Sequence, residues 1–400
     1  MKLVLAGGYD TSNLGDHAML YVLKNSLEKY EPVDITILAR HLEPKIEKDY
    51  GVRLIKNLDH ETKEESIGRW FNGFNLNDNT EHIAQIREEL QEADALVIGG
   101  GRLLIDICLD FMKGPLPYFV LLVVVAKFLG KPIIIYGMTI VAPKTSEGVE
   151  MLKFIVENAN LVMVREDSSK NTLSTLDIQC NNLHVIPDPA FALPHNEAIK
   201  NLSQNIFSNE RLDKDKKYIG LNLRFTNLNK NLNQKEYIQK VTDFCDLVFE
   251  KYNLNILLIS QMTYKTEKEF DDDRNFYKLI KKNSKYSKNI HILLKKYNVI
   301  ETLSIYNNIE KLFSMRRHGL IFAATQNIPI YGLVAEENTR YALEEMNLED
   351  NYIDFNKEFN VSMFDDLADE NEIKLTLKKS IQELSSCSTQ YANTILELLK

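Results

Sequence analysis

Short apolar runs alternate with longer helical patterns along most of the chain. The runs are rich in valine, isoleucine and leucine, and the segments between them place apolar residues at helical spacing. This alternation predicts βαβ units and parallel sheets. In the first half we predict strands at residues 2–6, 33–39, 95–98, 132–136, 161–164 and 184–186, and helices near 16–30, 81–93 and 118–129.

The pattern breaks down in a polar, lysine-rich stretch and then starts again. After the break we predict strands at residues 218–223, 255–259, 291–294, 311–314 and 329–333, and helices near 234–252, 272–282 and 369–400. We therefore predict an N-terminal Rossmann-like domain over residues 1–195, a linker at 196–216, a C-terminal Rossmann-like domain at 217–370 and a helical segment at 371–400. The predicted fold class is α/β, with two doubly wound domains facing a cleft.

The balance of charges excludes one large class of partner. The 400 residues include 48 Lys plus Arg and 57 Asp plus Glu, which gives a net charge of −9. General nucleic-acid binding needs many cations against phosphates, so we expect no nucleic-acid partner. Only 12 of the 48 basic residues are arginine, so the positions of the arginines are informative.

The cysteines and the apolar segments point to a protein of the cell interior. The four cysteines are too far apart in sequence for a zinc or redox motif, and we predict that they are buried or half-buried thiols. They are Cys108, Cys180, Cys245 and Cys387. The apolar run at the start of the sequence is too short for a signal peptide. The apolar run at residues 116–129 is too short for a membrane span, so we predict a buried helix there. We expect a cytoplasmic protein with at most transient contact with the inner face of the cell membrane.

Ligands of open parallel sheets bind beyond the carboxyl ends of the strands, so residues at these ends are the candidates. After the first strand, the loop from Gly7 to Asp16 matches neither a dinucleotide nor a P-loop fingerprint. Asp16 either caps the following helix or accepts a proton from a ligand hydroxyl. Gly99-Gly100-Gly101 allows close approach of a ligand or simply a tight turn.

Further strand ends in the first half carry Arg165, Glu166 and Asp188. For these residues we favour capping or ordinary ion pairing.

The strand ends of the second half carry cations. Arg224 follows one strand, Gln261 another, and Ser314-Met315-Arg316-Arg317-His318-Gly319 a third, just before a predicted helix. Arginine and histidine beside a helix N-terminus favour an anionic ligand. Arg316 and Arg317 are neighbours, so one of them is expected to point to solvent or to an ion pair.

These same segments resemble a known family. Four segments are similar, in this order, to segments of the polysaccharide pyruvyl transferase family. They are Asn13-Leu14-Gly15-Asp16, Ile98-Gly99-Gly100-Gly101, Asp188-Pro189-Ala190-Phe191 and residues 314–323. The resemblance extends over roughly residues 1–334. The Ser-Met-Arg-x-His segment is its most specific part.

The resemblance implies a fold like that of two-domain GT-B glycosyltransferases, with phosphoenolpyruvate as donor. The implied product is a sugar that carries pyruvate as a cyclic ketal on two hydroxyls, with release of phosphate, in the biosynthesis of a capsule, an exopolysaccharide or another envelope polysaccharide. The acceptor is a sugar of a polysaccharide precursor, free or lipid-linked. We expect no cofactor and no metal.

Each candidate residue receives a role under this reading. Arg224, Arg316, His318 and Gln261 are expected to bind the donor, and Asn13, Asp16, Gly100 and Gly101 the acceptor. Asp16, Arg316 and His318 are the expected catalytic residues, and Arg165, Glu166, Asp188 and Arg317 are secondary candidates. Of these, Glu166 and Asp188 are the candidates for protonating the methylene carbon of the donor.

Three departures from the family pattern leave alternatives open. His17 stands where an acidic residue often follows the aspartate, residues 137–141 differ from the usual Gln-Gly-Ile-Gly-Pro-like stretch, and the segment after Gly332 also differs. The alternatives are a nucleotide-sugar-dependent glycosyltransferase and a non-catalytic glycan-binding protein of the same fold. The sequence predicts neither the acceptor sugar nor the oligomeric state.

Overall fold

The chain folds into two α/β units. The computed structural model describes residues 1–58, 60, 65, 80–107, 114–226, 232–263 and 269–400. Unit 1 comprises Met1–Thr11, Gly15–Pro189 and Ser386–Lys400, and unit 2 comprises Ser12–Leu14 and Ala190–Ser385.

Unit 1 contains a sheet of seven strands among its described residues. All neighbouring strands are parallel, in the order β3-β2-β1-β4-β5-β6-β7. The strands are β1 Lys2–Gly7, β2 Asp34–Ala39, β3 Arg53–Lys56, β4 Ala95–Gly99, β5 Ile133–Met138, β6 Leu161–Val164 and β7 Leu183–Val185. Helices α1 Leu14–Leu27, α2 Pro44–Tyr50, α3 Thr80–Glu92, α4 Pro115–Phe128, α5 Ser146–Glu157 and α6 Asp167–Thr175 connect them.

The central strands of this sheet are buried on both faces. Every residue of β4, β5 and β6 is buried, which explains why their sequences are continuous apolar runs instead of alternating ones. The strand order runs outward in one direction from β1 to β3 and in the other from β4 to β7. The direction therefore reverses between β1 and β4.

Unit 2 repeats this plan with six parallel strands among its described residues, in the order β10-β9-β8-β11-β12-β13. The strands are β8 Tyr218–Asn222, β9 Asn255–Leu258, β10 Ile290–Ile292, β11 Lys311–Ser314, β12 Ile330–Val334 and β13 Tyr352–Asp354. The helices are α7 Glu197–Asn209, α8 Gln234–Tyr252, α9 Asp273–Asn283, α10 Val299–Tyr306, α11 Arg317–Thr325, α12 Glu337–Glu345 and α13 Glu370–Ser388. Here the direction reverses between β8 and β11.

Two doubly wound parallel domains are therefore confirmed, with differences in detail. Most of the segment predicted as a linker at 196–216 forms α7, which packs against α10. The buried residues of α7 stand at helical spacing, among them Ile199, Ile206 and Phe207. Because most residues of this helix are polar, the helical spacing of its few apolar residues was not recognised in the sequence. Residues 43–58 contain α2 and β3, and most of residues 59–79 lie outside the described residues.

The C-terminal segment, predicted as helix, consists of α13 and a second helix, α14 Gln390–Leu399. The hydroxyl of Tyr391 at the start of α14 donates to the carbonyl of Ile186 at 2.8 Å, and α14 belongs to unit 1. Cys180, Cys245 and Cys387 are free, buried or half-buried thiols, and Cys108 lies outside the described residues.

Helix α4 is apolar on more than one face. Leu116, Leu122 and Val123 are buried in the core of unit 1, whereas Phe128 is 89% exposed. The segment predicted as a buried helix is therefore covered on only part of its surface. No helix in the described ranges combines the length and the apolar character that a membrane crossing requires.

Candidate functional site

The two reversal points of the strand order define where each unit can bind a ligand, because the loops diverge there beyond the carboxyl ends of the strands. In unit 2 these loops follow β8 and β11, which are paired along their length. They carry Arg224 and Arg316, so the structure brings two of the predicted donor-binding residues together.

Arg316 is held by a buried carboxylate. Its guanidinium forms an ion pair with Asp273, at the start of α9, and the two side chains are 13% and 2% exposed. The other oxygen of Asp273 accepts hydrogen bonds from the backbone N–H groups of Gln261 and Met262 at 3.0 and 2.8 Å. Burial raises the pKa of Asp273, and the charge of Arg316 opposes this rise.

Arg224 lies on the other side of the reversal point and has its own counter-ion. Its guanidinium pairs with Glu336, which precedes α12, and its carbonyl accepts a hydrogen bond from the hydroxyl of Tyr237 at 2.8 Å. Burial lowers the pKa of Arg224, and the neighbouring charge of Arg316 lowers it further. The two guanidiniums are therefore close enough for each charge to act on the other.

His318 lies in the first turn of α11, half-buried, with its ring 6.5 Å from that of Phe322. The helix can begin here only because residue 319 is glycine. A Cβ at Gly319 would lie 2.5 Å from both the side-chain oxygen of Asn222 and the hydroxyl of Ser314, so a side chain would push the helix start away from the sheet. The first N–H groups of α11 consequently lie directly at the strand ends.

Arg317 is directed elsewhere. Its guanidinium donates to both carboxylate oxygens of Glu345, at 2.9 and 2.8 Å, and its side chain is 7% exposed. Both neighbouring arginines therefore form an ion pair, Arg317 with Glu345 and Arg316 with Asp273. The pair of Arg317 connects α11 to α12.

The buried polar atoms of unit 2 that have no hydrogen-bond partner among the described residues include Nε of Arg316 and the Ser260 hydroxyl. Burial raises the pKa of Tyr306, and a side-chain hydrogen bond with Gln261 and the charge of Arg316 oppose this rise. Buried polar groups are almost always hydrogen-bonded. These atoms are therefore available to bind polar groups of a ligand.

Asn13, a predicted acceptor-binding residue, groups with unit 2. It forms an antiparallel bridge with Met262, the N–H of Leu14 donates to the carbonyl of Gln261 at 3.1 Å, and the N–H of Thr263 donates to that of Ser12 at 3.3 Å. The backbone around Gln261 is thus held on two sides, by Asp273 and by residues 12–14.

In unit 1, the reversal point brings together Asp16, Gly100 and Gly101. Asp16 lies in the first turn of α1 and is 7% exposed. Gly100 and Gly101 have φ angles of +95° and +60°, and a Cβ on either would lie within 3.4 Å of a carboxylate oxygen of Asp16. Glycine is required here both by the backbone conformation and by the carboxylate beside it.

His17, the departure from the family pattern, points into the protein. Its ring lies 5.1 Å from that of Tyr50, and it is hydrogen-bonded to the backbone of Tyr9 and Thr11. Burial lowers its pKa to about 4, so it is neutral at pH 7. His17 therefore supplies packing in unit 1 and not a second acidic group.

This burial predicts a pH effect on stability. Between pH 6.5 and about 4 the unfolded chain binds a proton on His17 that the folded chain does not, which removes about 1.4 kcal/mol of stability per pH unit as the pH falls. Between pH 7 and pH 5, we expect wild-type unit 1 to lose about 2 kcal/mol more than His17→Gln. Hydrogen exchange of α1 amides measures this, and equal losses in both proteins would contradict it.

Arg165 and Asp188 pair with each other inside unit 1. Nη1 of Arg165 donates to Asp188 at 2.8 Å and its Nε to the hydroxyl of Thr139 at 2.7 Å, and Asp188 is fully buried. The favoured structural interpretation, ordinary ion pairing, fits this geometry. Glu166 is half-buried and its carboxylate accepts from the hydroxyl of Ser169 at 3.4 Å.

The sequence reading missed Asp273 and Glu336, the carboxylates that hold the two arginines. They are 43 and 112 residues from their partners. Locally, the sequence shows only that both residues stand beside the start of a helix that follows a strand. An acidic residue at such a position is usually interpreted as a helix cap. The described ranges contain no group of three His, Cys, Asp or Glu side chains arranged to hold a metal ion.

Asp273 is testable as a positioning residue. Asp273→Asn keeps the size of the side chain but removes the charge that fixes Arg316, so we expect the KM for the anionic donor to rise at least tenfold. The KM for the acceptor should stay within twofold. Glu345→Gln, which removes a carboxylate from the neighbouring Arg317, is the control. Equal changes in both KM values would indicate a general structural defect instead.

Comparison with known proteins places the fold and the family. The family model described as polysaccharide pyruvyl transferase matches residues 13–336, and no curated protein matches the chain. UDP-GlcNAc 2-epimerase from Neisseria meningitidis, bound to UDP-GlcNAc, is a similar solved structure, with 12% identity and a TM-score of 0.60 over 99% of this chain and 100% of that one.

Two further solved structures have a TM-score of 0.55. UDP-GlcNAc 2-epimerase from Methanocaldococcus jannaschii is 13% identical, with 96% of this chain and 92% of that chain covered. HepE from Anabaena, in complex with UDP and glucose, is 10% identical, with 99% and 98% covered. At these identities the likeness concerns the fold, and it confirms the predicted GT-B-like class.

Proposed function

The chain belongs to the polysaccharide pyruvyl transferase family, a family of transferases, and we propose that it moves the pyruvyl group of phosphoenolpyruvate onto two hydroxyls of a sugar. The product is a cyclic ketal, and phosphate is released. The observation that carries the proposal is the pair Arg224 and Arg316 at the reversal point of the second sheet, beside His318 and the N-terminus of α11.

The electrostatics of this pair suit a small, highly charged donor. Each guanidinium already has one carboxylate partner, which offsets its charge but leaves other donors of the planar group for a ligand. Nε of Arg316 is buried without a hydrogen-bond partner among the described residues. Phosphate and carboxylate groups are the anions that arginine binds with two parallel hydrogen bonds.

The reaction assigns a role to each group. A proton adds to the methylene carbon, and the first sugar hydroxyl forms a bond to the neighbouring carbon while Asp16 accepts its proton. The second hydroxyl then attacks the same carbon as the bond between that carbon and the phosphate oxygen breaks. The proton of this hydroxyl passes through His318 to the departing phosphate, which leaves as inorganic phosphate. For the methylene proton, Glu166 remains the candidate, because Asp188 is fully buried against Arg165.

Mass spectrometry of candidate acceptors tests this proposal. Incubation with phosphoenolpyruvate should add a pyruvyl group as a ketal and release one phosphate per adduct. The panel should contain free, nucleotide-linked and lipid-linked sugars, since the acceptor is open. Absence of any adduct across the panel, together with stabilisation by UDP and not by phosphoenolpyruvate, would favour a glycosyltransferase. Tight sugar binding with neither turnover nor donor binding would favour a non-catalytic protein.

A further inference from the structure

A cavity of about 230 Å³ lies in unit 1, apart from the residues assigned above. It is formed by the two loops that follow the neighbouring strands β4 and β5. Its lining residues are Arg102, Ile105, Asp106, Ile107, Val141, Ala142, Pro143 and Lys144. The first of these loops begins with Gly100 and Gly101, the glycines that lie against Asp16, and the residues that line the cavity follow them directly.

The two loops are fixed to each other. The N–H of Thr139 donates to the carbonyl of Gly101 at 3.1 Å. Farther along, one oxygen of Asp106 accepts from the N–H groups of Lys144 and Thr145 at 2.6 and 2.9 Å, and from the hydroxyl of Thr145 at 3.2 Å. The only carboxylate of the lining is therefore bonded into the wall of the cavity.

The remaining polar side chains of the lining are cations. Arg102 and Lys144 are exposed, and neither side chain forms an ion pair or a side-chain hydrogen bond within the described parts of the chain. The other lining residues are apolar, and Ile107 is 53% exposed. Two cations beside an apolar wall suit a ligand that joins a phosphate to an apolar group.

The volume limits which part of a ligand can enter. Pockets for whole small molecules usually have about 300–1,000 Å³, so this cavity fits one section of a larger ligand. A phosphate or diphosphate with the beginning of its apolar substituent has a suitable size and charge.

We propose that this cavity is the subsite for the phosphate or diphosphate arm of the acceptor. Arg102 and Lys144 bind the phosphate oxygens, and the isoleucines and Pro143 contact the adjoining apolar group. This inference rests on the proposed function for the identity of the acceptor. The binding chemistry itself does not depend on pyruvyl transfer. The apolar group is either a lipid chain or a nucleoside, and both would be joined to the same diphosphate.

Calorimetric titration with inorganic pyrophosphate, UDP and farnesyl diphosphate tests the site without turnover. The titrations are made in an Arg316→Gln background, which weakens the second anion site in unit 2. We expect Arg102→Gln and Lys144→Gln each to raise the Kd of all three probes about five- to tenfold. Lys131→Gln is the matched control, because Lys131 precedes β5 whereas Lys144 follows it, and it should leave the Kd within twofold.

Each outcome is decisive. Tighter binding of UDP or of farnesyl diphosphate than of pyrophosphate identifies the source of the arm. Equal affinity of all three probes would overturn the role of the apolar wall. Wild-type-like pyrophosphate binding in both variants, or no binding before substitution, would overturn the site. The titrations contain no phosphoenolpyruvate. Their results therefore test the subsite even if the proposed pyruvyl transfer does not take place.

Discussion

Arg316→Gln is expected to lower kcat/KM for phosphoenolpyruvate about 10²- to 10³-fold while the protein stays folded. The loss follows from removing a guanidinium that lies beside Arg224 at the carboxyl ends of two paired strands. The fold should survive, since Asp273 keeps its hydrogen bonds from the backbone N–H groups of Gln261 and Met262. Phosphate release in the presence of acceptor measures the effect.

Arg317→Gln is the matched control, with the same chemical change at the next residue. It breaks the bidentate pair with Glu345 and should lower the free energy of unfolding by about 2 kcal/mol. Its kinetic constants should stay near those of the wild type at temperatures where it is folded. Arg316→Lys extends the test, because a point charge cannot replace a planar group that binds two oxygens. Wild-type activity in Arg316→Gln would contradict the assignment of Arg316 to the donor site.

The second large effect concerns stability and not activity. Arg165→Met and Asp188→Leu are each expected to lower the free energy of unfolding of unit 1 by about 3–5 kcal/mol, because each leaves a buried charge without its partner. The double variant should recover most of this loss, since an apolar pair of similar volume replaces the ion pair. Hydrogen exchange of β6 amides reports the stability of this unit.

Activity separates this structural role from a chemical one. The double variant should retain kcat and both KM values where it is folded. A folded double variant without activity would instead return Arg165 and Asp188 to the catalytic candidates. Single variants that lose less than about 1 kcal/mol would show that the pair is not the buried, mutually dependent unit described.

Most of the fold was predictable because its signals are local. Residues 234–252 and 311–314 were predicted with the bounds that α8 and β11 have. Helix α7 and the three-residue β13 are among the elements that were missed. The apolar residues of α7 are sparse among polar ones, and the three residues of β13 carry little periodic signal. Candidate residues at strand ends were found by the same local reasoning, since a strand end is visible in the sequence.

The sequence by itself determined that this is an acidic, α/β chain with arginines at strand ends and the motif of a pyruvyl transferase family. Only the tertiary structure decided which strand ends are neighbours and which arginine is bound by which carboxylate. Strand order and ion pairing depend on contacts between residues far apart in sequence, such as Arg224 with Glu336. Neighbours as similar as Arg316 and Arg317 thereby receive different partners.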